Sequence, residues 1–97
     1  MKLRYTPEAV ADLISIADDI RAYNPAAALR VRAAILDSIQ NLVLFPRVGR
    51  RQSAKGVRKI IARKYPYLVY YTVDEAADEA VILNIKHPAQ RREHQDA

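Results

Sequence analysis

The chain has 97 residues, half of them apolar, with two glycines, no cysteine and a formal charge of +5. That length suits one domain with a core of its own, and the composition excludes a disordered tail. The missing cysteines exclude disulfides and thiolate metal sites, and no apolar run approaches the ~18 residues that span a bilayer.

Lys2 to Tyr5 alternates and reads as a first strand, with no signal-peptide pattern ahead of it. Thr6-Pro7-Glu8 is a helix start: an N-cap hydroxyl, proline at the first helical position and an acid near the positive end of the dipole. Val10, Leu13, Ile14, Ala17 and Ile20 then recur at helical spacing, with Ile16 and Tyr23 widening the face. Asn24-Pro25 repeats the start signal. Ala28, Val31, Ile35, Ile39 and Leu42 form a second stripe, flanked by Leu29, Leu36 and Val43. With almost no loop between them, the helices should form an antiparallel hairpin. Both faces are wider than one sheet contact needs. The surplus is either a thicker core or a partner surface, which would use Leu13, Ile16, Ile20, Tyr23, Leu36 and Val43.

Phe45-Pro46 stops the second helix, and a basic loop runs to Gly56. Three strands follow: Val57 to Lys64, Tyr67 to Val73, and Ala80 to His87, the last two joined by an acidic turn from Asp74 to Glu79. Val81, Leu83 and Ile85 share a face, and Ile82 breaks the alternation. The order is β-α-α-β-β-β, an α+β domain with a helical hairpin over a small, mainly antiparallel sheet. The domain is expected over residues 1–92, and 93–97 form a polar tail.

Charge is uneven. Residues 1–46 carry five basic and five acidic side chains, and 65–97 carry three against six. Between them Arg47, Arg50, Arg51, Lys55, Arg58, Lys59, Arg63 and Lys64 stand with no acid. Such a segment either meets an anionic partner or is a solvated edge whose cations discourage strand pairing. Two histidines without paired spacing support no metal site, and two glycines make no phosphate-cradling loop, so no cofactor is expected. Arg58, Arg63 and His87, with Tyr65, Tyr67, Tyr70 and Tyr71 between them, could cleave RNA without metal: a base on the 2′-OH, arginines on the phosphorane and an acid on the leaving oxygen. They could equally be rim and packing residues.

Four motifs in succession resemble the RelE/ParE family of type II toxin–antitoxin toxins. These are Tyr5-Thr6-Pro7-Glu8-Ala9-Val10 at the first helix, Asn24-Pro25-Ala26-Ala27-Ala28 between the helices and Phe45-Pro46-x-x-Gly49. The last is Gly56-Val57-Arg58-Lys59 followed by Tyr65-Pro66-Tyr67 and Ile82-Leu83-x-Ile85-x-His87. The resemblance implies the same fold, growth arrest, a cytoplasmic location, no membrane, and a cognate antitoxin bound in a hetero-oligomer. That antitoxin would set an acidic or amphipathic segment on the helical faces and on the basic segment. The Asn-Pro-Ala-Ala, Phe-Pro-x-x-Gly and Tyr-Pro-Tyr motifs resemble the ParE-like branch, whose members block DNA gyrase by binding. The RelE-like alternative is a ribosome-dependent mRNA endoribonuclease using Arg58, Arg63 and His87, although no tyrosine follows His87. A small nucleic-acid-binding module built on the basic segment is the remaining alternative.

Overall fold

A computed structural model describes residues 1–88; the predicted tail at 93–97, with His94, lies outside them. Among the described residues, β1 (Lys2–Tyr5), α1 (Pro7–Arg21), α2 (Pro25–Gln40) and a 3-10 turn (Asn41–Val43) come first. Then follow β2 (Arg50–Arg51), β3 (Arg58–Ile61), β4 (Leu68–Asp74) and β5 (Glu79–Lys86). The strands form one sheet in the order β1-β5-β4-β3-β2, with β1 parallel to β5 and the other pairs antiparallel. This is the expected α+β fold with one strand added: Arg50 and Arg51, read from sequence as loop, pair with Lys59 and Arg58. The third strand is correspondingly shorter than Val57 to Lys64. It ends at Ile61, so Arg63 and Lys64 lie beyond it.

The caps form as the sequence indicates. Thr6 Oγ1 accepts from the Ala9 N–H at 3.1 Å and donates to Leu83 O at 2.6 Å, fixing α1 to β5. Asn24 Oδ1 accepts from the Ala27 N–H at 3.1 Å and starts α2. Through α2 and the 3-10 turn the predicted stripe Ala28, Val31, Ile35, Ile39 and Leu42 is buried. In α1 the stripe is rotated. Ala9 is fully buried, Leu13, Ile16 and Ile20 pack against the core, and Val10 and Ile14 are exposed. Ala9 contributes little to an apolar period, yet its small side chain lets the helix approach the sheet closely. Three residues assigned to a surplus face therefore belong mainly to the core.

Strand β5 also departs from plain alternation. Tyr70 opposes Asn84 and Tyr71 opposes Ile82, leaving Leu83 as the extra residue of a bulge. The extra residue shifts the phase by one. Ala80, Ile82 and Ile85 join Val69 and Tyr71 under the helices, while Leu83 packs with Val57, Leu68 and Tyr70 in a second cluster. The face predicted for Val81, Leu83 and Ile85 is thereby split, and Ile82 belongs to the core.

Candidate functional site

The basic segment is built on a brace between the α2–β2 loop and the middle of β4. Pro46 ends the helical region, and its carbonyl accepts from the Tyr71 hydroxyl at 2.7 Å. The Tyr71 hydroxyl oxygen in turn accepts from the Gly49 N–H at 2.9 Å. Tyr71 is fully buried, so it acts as a fixed post for the loop. Arg58, its cross-strand neighbour, donates to the carbonyls of Arg47 at 3.1 Å and Gly49 at 2.9 Å. A Cβ on Gly49 would lie 2.5 Å from Tyr71 Oη, and only glycine fits there. The Phe-Pro-x-x-Gly motif signals a turn in the sequence, but nothing in it reveals a tyrosine 22 residues away.

Burial raises the Tyr71 phenol above its ordinary value, opposed by the Gly49 N–H and by Arg58. Tyr5 is raised by burial, and Tyr67 by burial and then Asp19. A phenol raised in the folded state keeps its proton longer there than in the unfolded chain. Its contribution is intact below the unfolded value and is lost as pH rises through the folded one. Stability is therefore expected to fall above about pH 10. Tyr71→Phe should flatten part of that fall. Melting temperature against pH, followed with phenolate absorbance, checks it; an unchanged slope in the variant contradicts it.

Beside the brace, Arg47, Arg51, Gln52, Lys55, Arg58 and Glu75, with Gly56, Val57 and Val73, line a cleft of about 450 Å³. Arg47 is paired with Glu75. Gln52 is nine-tenths buried; its Nε2 donates to Arg50 O at 2.9 Å, and its Oε1 is buried without a hydrogen-bond partner. Sequence reading did not single out Gln52 or Glu75.

The eight cations do not share one surface. Arg63 and Lys64 stand past the far end of β3, whose four residues span roughly 13 Å. There they line a second cleft of about 400 Å³ with Arg30, Asp37 and Tyr65, and the Arg63 N–H donates to Ser38 Oγ at 3.1 Å. His87 is exposed just after β5, its ring edge-on to Tyr67 at a centroid distance of 5.5 Å. The first cleft holds Arg58 without Arg63 or His87, and the second holds Arg63 without the other two. Tyr70 and Tyr71 are fully buried and present no stacking face. His87, expected as the last residue of its strand, lies just past β5, which ends at Lys86.

On the helical side, Val10, Leu13, Ile14, Ala17 and Leu29 form the apolar part of a groove of about 470 Å³, rimmed by Asp18, Arg21 and Arg32. Ile14 is 57% and Leu29 70% exposed. Of the six apolar residues expected on a partner surface, Leu13 lines this groove. Ile16 and Ile20 turn to the core, Leu36 and Val43 are half-buried, and Tyr23 is exposed at the helix end.

Residues 3–92 match the family described as the ParE toxin of the type II toxin–antitoxin system parDE. A Sinorhizobium fredii protein named "Putative toxin Y4kP" is 29% identical over 90 residues, covering 93% of this chain and 91% of that one. Among solved structures, the chromosomal ParDE toxin–antitoxin system of P. aeruginosa superposes with a TM-score of 0.79 at 29% identity, over 90% of this chain and 95% of that one. The E. coli RelBE toxin–antitoxin complex gives 0.65 at 15% identity, over 89% and 94%, a likeness of fold alone.

Proposed function

The chain belongs to the family of ParE toxins of type II toxin–antitoxin systems, and from that membership we propose that it stops growth by inhibiting DNA gyrase until a cognate antitoxin covers it. The reading is supported by the separation of Arg58, at the start of β3, from Arg63 and His87, which follow the far end of β3 and the end of β5. A general acid or base must come within about 3.2 Å of the proton it moves. Arg58 also spends donors on two carbonyls of its own loop. The chain therefore acts by binding, with no bond chemistry of its own, and its target places it in the cytoplasm.

The test is pulse labelling after induction of this chain alone in a bacterial host. Thymidine incorporation is expected to fall first, with methionine incorporation intact. Early loss of methionine incorporation instead would overturn the gyrase reading in favour of ribosome-dependent mRNA cleavage.

The helical groove is the antitoxin's seat in this reading. An amphipathic antitoxin helix would lay its apolar face on Val10, Ile14 and Leu29. Ile14→Glu is expected to weaken the antitoxin by about 30-fold or more, the factor for losing a central apolar anchor worth about 2 kcal/mol. Because Ile14 is exposed, the fold should survive. Calorimetric titration with purified antitoxin checks this, and unchanged affinity would move the seat elsewhere.

A further inference from the structure

The second cleft, between α2 and the β3–β4 turn, is shaped from both sides by local geometry. Arg30, Ala33, Ala34 and Asp37 recur at helical spacing on one face of α2, with Arg30 and Asp37 two turns or roughly 10 Å apart. The facing wall is Arg63, Lys64 and Tyr65. The Ala62 N–H donates to Tyr67 O at 2.9 Å and closes that turn. Buried Ser38 ties the turn to the helix, its hydroxyl accepting from the Arg63 N–H at 3.1 Å and donating to Ala34 O at 2.9 Å. Lys64 takes a left-handed φ of 71°, which residues other than glycine rarely adopt. The two walls are therefore set without a ligand. Arg30, Arg63, Lys64 and Asp37 are exposed and enter no ion pair among the described residues. The first cleft differs, because Arg47 is held there by Glu75 and Arg58 by two loop carbonyls. The apolar part of the second lining is Ala33, Ala34 and the half-buried ring of Tyr65.

We propose that this cleft binds a nucleoside polyphosphate, with its phosphates on Arg30, Arg63 and Lys64 and its base on Tyr65. A volume of about 400 Å³ falls within the range of small-molecule sites. Three cations with no carboxylate to satisfy match a chain of phosphates: the two arginines offer planar forks and the lysine a point charge. A bare inorganic anion would leave the apolar lining unused. A base lays its face on the Tyr65 ring, as bases do on aromatic side chains in general. Asp37 is an acceptor among cations, and the ribose hydroxyls carry the donors that phosphate lacks. Side chains hold the phosphates here, so the site needs none of the glycine-rich loop that this sequence lacks. The inference stands apart from the gyrase reading, since it concerns the purified chain and a free nucleotide.

The experiment is calorimetric titration of the full 97-residue chain with ATP and with GTP, beside tripolyphosphate and polyglutamate. At low salt, at least one nucleotide is expected to bind about fivefold or more tighter than tripolyphosphate, the lower end of what stacking one base on an aromatic ring contributes. Arg30→Gln with Arg63→Gln should weaken nucleotide and tripolyphosphate alike, by about tenfold or more. Both side chains are exposed and Arg63 is tied through its main chain, so this variant should fold. Tyr65→Ala should weaken the nucleotide and leave tripolyphosphate unchanged. Asp37→Ala should narrow the same preference while strengthening tripolyphosphate, from which it removes a like charge. Tyr65 packs against the core, and if its variant does not fold, Asp37→Ala carries that part of the test. No binding of either nucleotide at low salt would overturn the proposal. So would tripolyphosphate or polyglutamate bound as tightly as the better nucleotide, or an affinity unchanged in the folded arginine variant.

Discussion

Gly49→Ala is expected to lower stability by about 3 kcal/mol, the combined scale of overpacking and of breaking buried hydrogen bonds. The added Cβ would sit 2.5 Å from Tyr71 Oη, 2.6 Å from Cε1 and 2.9 Å from Cζ. The ring cannot retreat, since Tyr71 is fully buried among the residues under the helices. Either the phenol shifts and gives up its bonds to Gly49 and Pro46, or the loop lifts and Arg58 loses Gly49 O. Melting should fall by roughly 15 °C, at about 4–8 °C per kcal/mol for a domain of this size. Tyr71→Phe keeps the ring and removes only the hydroxyl, so about 1–3 kcal/mol is expected. The double variant should cost less than the sum, because both substitutions break the same bonds. Strict additivity in thermal or denaturant melts would mean that the brace does not act as a unit.

Asp12→Ala is expected to cost about 2–3 kcal/mol, for a different reason. Strand β1 ends at Tyr5, opposite Ile82, and beyond that point its side of β5 has no neighbouring strand. The Asp12 carboxylate takes the place of a strand carbonyl: Oδ2 accepts from the Ile85 N–H at 2.9 Å. Its other oxygen lies 3.6 Å from Lys86 Nζ, which is also 3.5 Å from Glu8. Ile85 is buried, so losing the acceptor strands its N–H away from water. Asp12→Asn should cost less than the alanine, because an amide oxygen can still accept. Glu8→Ala should cost less again, since that side chain is half exposed and accepts from the Asn84 side-chain amide and not from a buried main-chain N–H. Equal destabilisation by Asp12→Asn and Asp12→Ala would assign the effect to charge and not to the main-chain acceptor.

The candidate site was legible in part. Eight cations without an acid mark the segment from Arg47 to Lys64 in the sequence. Their division into two groups does not show there, because it depends on β3 ending at Ile61 and on β2 folding back over Arg58 and Lys59. The surplus apolar surface of the helices was likewise visible, but not that Val10 and Ile14 would be the exposed part of α1 while Leu13, Ile16 and Ile20 pack against the core. A helical period read by hydropathy gives weight to Ile14 and almost none to Ala9, whereas packing selects the small residue for the close approach.

By itself the sequence determined the features whose partners lie within a few residues. Thr6 and Asn24 cap their helices, Pro46 follows the second helix, the stripe from Ala28 to Leu42 is buried, and the α+β order stands. Each of these is set by sterics and hydrogen bonding along one turn or one strand. Only the tertiary structure decided the Leu83 bulge, the added strand at Arg50–Arg51, the opposed cations and the Tyr71 post for Gly49. Those depend on register between segments far apart in the chain, where a slip of one residue sends every side chain to the other face. Local periodicity cannot encode that choice; the competition of whole strands for the same core does.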